Sequence, residues 1–285
     1  MLRVPDGRVV ASTDVLVEGR HFRRNWSSPA DVGVKAAAQN LADIAAMGAL
    51  PRTLLVGLAC PSHLAVGWVL DMIAGLVAEC GRAGASIAGG DVTSADCIVL
   101  GITALGELAG ARPVTRAGAR AGDVVALAGH AGWSAAGLAL LQAGTAGPGE
   151  LAGDIGALVR AHRRPEPPYA AGPAAAAAGA TAMLDVSDGL VADLGHIAAA
   201  SGVCVRVETA GLPDCEPLQA AARTLGVAWQ DWALAGGEDH ALAATFPPLA
   251  ALPDGWRIIG DVREGEGVLV NGERWNGRGG WEHFR

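Results

Sequence analysis

Short apolar runs typical of β-strands alternate with longer segments of helical periodicity, and this alternation constrains the fold more than any other feature of the chain. The predicted strands cover residues 9–11, 53–59, 86–91, 97–108, 123–129, 182–186, 203–208, 240–246 and 256–262. Helical patterns fall between several of them, at 31–47, 63–82, 134–142, 151–162, 189–200 and 216–225. An irregular stretch rich in Gly, Pro and Arg, residues 109–123, interrupts the pattern. We therefore predict an α/β (α+β) two-domain fold with domains at 1–110 and 111–285.

The composition argues against several classes of protein. Hydrophobic residues make up 51% of the 285 residues and charged residues 18%, which is enough for a sizeable core. The net charge is −8 and Lys35 is the only lysine, which argues against binding to nucleic acid. The most apolar stretch, 169–184, is mostly alanine and too weakly hydrophobic to span a bilayer. Five cysteines without a CxxC pair are typical of reduced thiols, and we expect a soluble, cytoplasmic protein.

Five aspartates interrupt otherwise apolar elements. They are Asp14, Asp43, Asp91, Asp185 and Asp188. Each alone is explained by capping a helix or by lying solvated at the end of an element. Taken together they are harder to explain in that way, because a buried carboxylate without a partner is costly and the chain has few cations. Divalent cations such as Mg²⁺ prefer oxygen ligands between carboxylates and phosphates, so the pattern favours a site for metal and phosphate.

The remaining candidates leave alternatives open. No GxxxxGK[ST] motif is present, and the Gly-rich turn at 129–141 is either an anion-binding helix start or a plain loop. His21 is either a core or surface histidine or a ligand. Glu238 is part of an exposed acidic turn or of a ligand loop that follows two glycines. Trp281 is a terminal packing residue or a stacking surface, and Arg116 is solvated or contacts phosphate.

The motifs as a set resemble a known family. STDVLVEGRHF, KAAAQNLADIAAMGA, GGDVT, TRAGARAGD, DVSDGLVADLGHIAAASG, GGEDHAL and WEHF occur in this order along nearly the whole chain. They resemble the thiamine-monophosphate kinases, which belong to the aminoimidazole ribonucleotide synthetase-like fold. The resemblance implies direct transfer of the γ-phosphoryl group of ATP to thiamine monophosphate, assisted by several Mg²⁺ ions. It also implies a homodimer formed through the N-terminal domains.

The resemblance implies roles for individual residues. The implied metal ligands are Ser12, Thr13, Asp14, Asp43, Asp91, Asp185 and Asp188, of which Asp185 and Asp188 are also the implied catalytic residues. The implied ATP contacts are Gly90, Asp91, Arg116 and Ser187. The implied contacts to thiamine monophosphate are His21, Glu238 and Trp281.

The chain also departs from the family pattern. Family members carry a segment ending in Gly-Asp-Asp just before the first strand, and we expect this segment, with a metal ligand and part of a helix, to lie upstream of Met1. Ala42 stands where the family usually has Ser, and His240 and Ala241 replace the usual Tyr-Glu. The alternatives are another ATP-dependent synthetase of the same superfamily, or a non-catalytic nucleotide-binding dimer.

Overall fold

Two β-sheets follow one another along the chain, and the computed structural model describes residues 4–145, 152–275, 277 and 280. The first sheet contains β1 (Val10–Val17), β2 (Leu50–Cys60), β3 (Ser86–Ser94) and β4 (Val99–Glu107), in the order β1-β4-β2-β3. The second contains β5 (Val124–Ala128), β6 (Ala182–Val186), β7 (Cys204–Val207), β8 (Ala241–Phe246), β9 (Trp256–Arg263), β10 (Gly267–Val270) and β11 (Glu273–Arg274). Its order is β11-β10-β7-β9-β5-β8-β6.

Eight α-helices are found among the described residues. They are α1 (Pro29–Ala46), α2 (Val66–Arg82), α3 (Trp133–Gln142), α4 (Gly153–Arg163), α5 (Ala171–Ala177), α6 (Leu190–Ser201), α7 (Glu216–Leu225) and α8 (Trp229–Ala235). Within the described residues, no helix combines the length and the apolar character needed to cross a membrane.

Helix α1 connects the two halves of the fold. Ser28 and Asp31 form a capping box at its start, Pro29 occupies the first turn, and small apolar residues follow. The helix packs on α2 and the first sheet, and it also contacts α4, α5 and β6 of the second half. Because it is buried on nearly all sides, each of its polar side chains is placed next to a neighbouring element.

The first sheet has one buried and one exposed face. Leu16, Leu100 and Ile102 point inward and are almost fully buried. Val15 and Leu55 point outward and are 46% and 44% exposed. This alternation is the period-two pattern of an antiparallel sheet that packs on a core with one face only.

Strands β6 and β8 are buried along their full length in the second half. Such strands are near-continuous apolar runs, because both of their faces are covered. In β6 the run is AMLDV, and Asp185 is its only charged residue. The carboxylate of Asp185 therefore lies in a fixed position between the second sheet and α1, which packs against β6.

The structure corrects one prediction that affects the site. The sequence predicted that a strand ends at residue 11, but β1 continues to Val17, so Ser12, Thr13 and Asp14 lie inside it. They pair with Ala104, Thr103 and Ile102 of β4. Thr13 lies on the open face of this edge strand, whereas Ser12 and Asp14 lie on the inner face, where Asp43 and Gln39 of α1 are their hydrogen-bond partners.

The other predicted elements are confirmed with small shifts of their ends. Short elements were missed, namely α8, β10 and β11. The predicted domain boundary at residue 110 falls between the last strand of the first sheet and the first strand of the second, and the division into two domains stays a prediction.

Candidate active site

An open cavity of about 460 Å³ lies between the two halves of the fold. β1 supplies Ser12, α1 supplies Asp43 and β6 supplies Asp185 to its wall. The segment between β4 and β5 supplies Arg116. We call this site the acidic cavity and define it by these four residues. It brings together three predicted metal ligands and one predicted ATP contact that are far apart in the sequence.

The two carboxylates of the acidic cavity line the same wall and interact electrostatically. Ser12 Oγ donates a hydrogen bond to Asp43 Oδ2 at 2.5 Å. Burial raises the pKa of Asp43 to about 7, and the charge of Asp185 acts in the same direction. Asp185 is buried, and its Oδ2 lies 3.2 Å from His240 Nδ1. Burial lowers the pKa of His240, but the hydrogen bond and charge of Asp185 outweigh this and raise it overall.

The acidic cavity offers the ligands that Mg²⁺ prefers. Its carboxylates and hydroxyl present oxygen atoms, and Asp14 lies two residues from Ser12 on the same face of β1. Mg²⁺ is usually held by one or two carboxylates, with substrate phosphates and water completing its coordination. In the parts of the chain that the structure describes, no three His, Cys, Asp or Glu side chains come close enough to hold a metal alone. The Asp43–Asp185 pair therefore fits a metal that is also held by substrate.

Asp14 is placed differently from the pair. Its Oδ2 accepts a hydrogen bond from Gln39 Nε2 at 2.6 Å, and its Oδ1 accepts one from Val15 N at 2.7 Å. The Gln39 contact joins β1 to α1 beside Asp43. Sequence reasoning did not identify Gln39, because an amide in an alanine-rich helix carries no signal of its own.

The turn after β6 carries Ser187 and Asp188, two predicted site residues. Asp193 Oδ2 accepts hydrogen bonds from the backbone N–H groups of Ser187, Asp188 and Gly189, at 3.1, 3.0 and 3.0 Å. Burial raises the pKa of Asp193 to about 7, and nearby Asp185 adds to the effect. Asp193 thus fixes the backbone of the turn, and it was missed because it reads as an ordinary residue in the first turn of α6.

A second group of charges lies about two helical turns earlier along α1, around Lys35. Lys35 Nζ is 3.0 Å from Glu238 Oε2, and His162 Nδ1 is 3.7 Å from the same oxygen. We call Lys35, His162 and Glu238 the paired-charge cluster. Burial raises the pKa of Glu238, but the charge of Lys35 outweighs this, and the net pKa is lowered. Of the three residues, the sequence identified only Glu238 as a site residue.

His21 lies close to this cluster. Its Nδ1 accepts a hydrogen bond from Val17 N at 2.9 Å, so the neutral ring carries its proton on Nε2. Burial lowers its pKa, and the charges of Glu238, Lys35 and Asp14 also act on it. Two predicted substrate contacts, His21 and Glu238, are therefore within electrostatic range of each other.

Two predicted metal ligands, Thr13 and Asp91, lie away from the acidic cavity. Thr13 points to the outer face of the first sheet and donates to Ile102 O at 3.0 Å. Asp91 is exposed in β3 and pairs with Gly57 of β2. Since β3 and β1 are opposite edges of the sheet and neighbouring strands are about 4.8 Å apart, Asp91 is about 14 Å from β1.

Gly90 is required by packing within the first sheet. A Cβ at this position would come within 1.8 Å of Val56 O, so the backbone of β2 approaches this glycine closely. Trp281 lies outside the described residues.

Comparisons with known proteins identify the family of this chain. Family models of AIR synthase related proteins match residues 1–108 with the N-terminal domain and residues 120–245 with the C-terminal domain. The thiamine-monophosphate kinase of Mycobacterium tuberculosis (strain ATCC 25618 / H37Rv) is 50% identical over 281 residues, covering 98% of this chain and 82% of that protein.

Solved structures agree with the sequence relatives. Thiamine monophosphate kinase from Aquifex aeolicus has a TM-score of 0.87 and 35% identity, and the match covers 95% of this chain and 90% of that one. AaThiL complexed with AMPPCP and TMP has a TM-score of 0.86 and 34% identity, and the match covers 99% of this chain and 89% of that one. The structural similarity therefore extends over nearly the whole chain, including both sheets.

Proposed function

The chain belongs to the thiamine-monophosphate kinase family, and we propose that it transfers the γ-phosphoryl group of ATP to thiamine monophosphate. The observation that carries the proposal is the acidic cavity, where Asp43 and Asp185 interact electrostatically beside Arg116. A phosphate oxygen of thiamine monophosphate attacks the γ-phosphorus, the bond to the β,γ-bridging oxygen breaks, and ADP leaves with that electron pair. AaThiL complexed with AMPPCP and TMP supports the pairing of these two substrates.

The acidic cavity is the phosphate side of this reaction. Ser12, Asp14, Asp43 and Asp185 would hold Mg²⁺, which neutralises phosphate charge when it is bound. Arg116 faces the same cavity and supplies a fixed positive charge for phosphate oxygens. The turn at 187–189 places Ser187 and Asp188 at the end of β6, and Asp193 holds its backbone in place.

His21 and Glu238 form the thiamine side. The neutral His21 ring carries its proton on Nε2 and can donate it in a hydrogen bond to substrate. The carboxylate of Glu238 suits a cationic heterocycle such as thiazolium, because about a third of its side chain (31%) is exposed. The two sides are joined by the backbone, since Glu238 N donates to Ser187 O at 2.8 Å.

The proposed assembly is a homodimer that buries the outer face of the first sheet. Val15 and Leu55 are exposed on this face, and large exposed apolar side chains often mark a protein interface. Asp91 shares the face, so it would lie at the interface. Light scattering of the purified chain tests this assignment, and a monomeric mass would refute it.

The proposed compartment is the cytoplasm and the proposed partners are small molecules. The five cysteines are free thiols in the structure, as expected for a reducing compartment. The net charge of −8 disfavours nucleic acid as a ligand.

A turnover assay tests the function. The purified chain is incubated with ATP, Mg²⁺ and thiamine monophosphate, and thiamine diphosphate is followed by chromatography and ³¹P NMR. Formation of thiamine diphosphate with equimolar ADP is expected. ADP formation only with other acceptors would favour another ATP-dependent synthetase, and ATP binding without any product would favour a non-catalytic module; either result refutes the proposal.

A further inference from the structure

Lys35 is the only lysine of the chain, and it is 2% exposed. Its ammonium group lies 3.0 Å from Glu238 Oε2 and 3.1 Å from the backbone oxygen of His162. A buried ammonium is costly unless it is paired and hydrogen-bonded. Lys35 comes from α1 and its partners come from the second half of the fold, so the contact crosses between the two halves.

Glu238 is held at two points. Its backbone has a left-handed conformation, with φ of +64°, and its N–H donates to Ser187 O. Its side chain is fixed by Lys35 through Oε2, while no hydrogen bond from a described residue reaches Oε1. One carboxylate oxygen is therefore bound and the other is available.

His162 does not replace Lys35 as the counter-charge. Burial and, to a smaller degree, the charge of Lys35 together lower the pKa of His162 to about 3, so the ring is neutral at physiological pH. Its Nδ1 also lies 3.1 Å from Ser134 Oγ. Among the described residues, Lys35 is thus the one cation in contact with Glu238.

We infer that Lys35 is a positioning residue that holds the Glu238 carboxylate in the orientation needed to bind the cationic heterocycle of the acceptor substrate. Lys35 does not touch the substrate in this arrangement, since its donors are directed at Glu238 and at the His162 carbonyl. It acts on the affinity for thiamine monophosphate and leaves the ATP side unchanged. The inference rests on the proposed function, because it concerns the thiamine side of the same site.

The test compares Lys35→Met, Glu238→Gln and the double variant in the full chain. Steady-state kinetics give KM for each substrate and kcat, and calorimetry gives the dissociation constant of thiamine monophosphate. For Lys35→Met we expect KM for thiamine monophosphate to rise about tenfold, which corresponds roughly to the free energy of one buried charge-assisted hydrogen bond. KM for ATP stays within about twofold, and the double variant resembles Glu238→Gln because both changes remove one interaction.

Arg164→Met is the matched control. Arg164 follows α4 and pairs with Asp31 of α1, so it also joins the two halves of the fold, but without contact to Glu238. We expect its KM values to equal those of the wild type. A similar loss in this control would mean that Lys35 acts only by holding the halves together.

The outcomes separate the inference from the proposed function. Wild-type protein that neither binds nor phosphorylates thiamine monophosphate overturns the function and the inference together. An active wild type with an unchanged or tighter affinity in Lys35→Met overturns only the inference, because tighter binding would mean that Lys35 merely cancels the charge of Glu238. If Lys35→Met fails to fold, the double variant decides, since a loss beyond that of Glu238→Gln overturns the positioning role.

Discussion

The acidic cavity and the paired-charge cluster use the same functional group and differ in what faces it. In the acidic cavity Asp43 interacts with Asp185, and its pKa is raised to about 7 by burial and by the second acid. In the paired-charge cluster Glu238 faces Lys35, and its pKa is lowered although burial opposes this. Both regions lie on α1 and its neighbours, and the basic residue beside the carboxylates differs: His240 contacts Asp185 in the acidic cavity, and Lys35 contacts Glu238 in the paired-charge cluster.

The difference indicates what each region binds. The two carboxylates repel each other although His240 contacts Asp185, because burial and the charge of Asp185 still raise the pKa of Asp43, and a divalent cation bound with substrate relieves the repulsion. The Glu238 carboxylate already has the Lys35 ammonium group as its partner, so it does not need a divalent cation. It is therefore suited to orient a ligand. The fold thus separates the acidic cavity, which is suited to bind a divalent cation, from the paired-charge cluster, whose carboxylate is already neutralised by Lys35.

The largest expected effect comes from removing a charge of the acidic cavity. Asp185→Asn keeps the size of the side chain and removes the charge, and we expect turnover to fall by at least about a thousandfold. The far-UV circular dichroism spectrum and the melting temperature should stay close to the wild type, because Asn can still accept the contact from His240.

Asp261→Asn is the matched control for this change. Asp261 pairs with Arg206 and Arg263 on the second sheet, away from the acidic cavity, so turnover should be unchanged. Retention of full turnover in Asp185→Asn would refute the assignment of Asp185 as a metal-binding and catalytic residue.

Much of the fold could be predicted from the sequence. The capped, alanine-rich pattern around Lys35 predicted α1, and apolar runs such as 182–186 and 240–246 predicted buried strands. The end of β1 could not be predicted, because Ser12, Thr13 and Asp14 look like the end of a strand unless it is known that Thr13 lies on the open face and that Ser12 and Asp14 have partners on α1. The family resemblance carried by the ordered motifs is confirmed by the relatives and the solved structures.

The site was predicted in part. Ser12, Asp43, Asp185 and Arg116 do line one cavity, and His21 and Glu238 are within electrostatic range of each other, while the roles of all these residues stay predictions. Lys35 was noticed only as a lone lysine, because its role depends on a partner 203 positions away. His240, noted as a departure from the family, contacts Asp185, which a single sequence does not reveal.

The second prediction uses pH to contrast the two regions. The folded-state pKa of Asp43 is about 7, above the ordinary value of 3.8, so the folded protein holds a proton that the unfolded chain releases. The contribution of Asp43 to the free energy of unfolding is therefore lost as pH rises from about 4 to about 7. Glu238 has a lowered pKa, so its contribution is present above the ordinary value and is lost as pH falls.

Urea unfolding without metal, at about pH 5 and about pH 7.5, measures this contrast. We expect Asp43→Asn to raise the free energy of unfolding at the higher pH by on the order of 2 kcal/mol, and by less at the lower pH. Glu238→Gln should lower it at the higher pH, because it leaves Lys35 buried without its partner. A change in the free energy of unfolding that has the same sign in both variants at the higher pH would contradict the contrast between the two regions.

The smallest expected effect is the response of thermal stability to Mg²⁺. A ligand at ten times its dissociation constant stabilises the folded state by about 1.4 kcal/mol, which raises the melting temperature of a chain of this size by about 2–4 °C. We expect this rise for the wild type near neutral pH and a smaller one at about pH 5, because protonated Asp43 binds metal poorly.

The variants decide whether the rise in melting temperature comes from the acidic cavity. Asp43→Asn should lose most of the rise, whereas Glu238→Gln should keep it, since the paired-charge cluster already has its cation. A comparison with Ca²⁺ tests the coordination geometry. If substrate phosphates complete an octahedral shell, Mg²⁺ should raise the melting temperature more than Ca²⁺ does when ATP is present. A rise that is equal in both variants would place metal binding outside the acidic cavity and remove the distinction between the two regions.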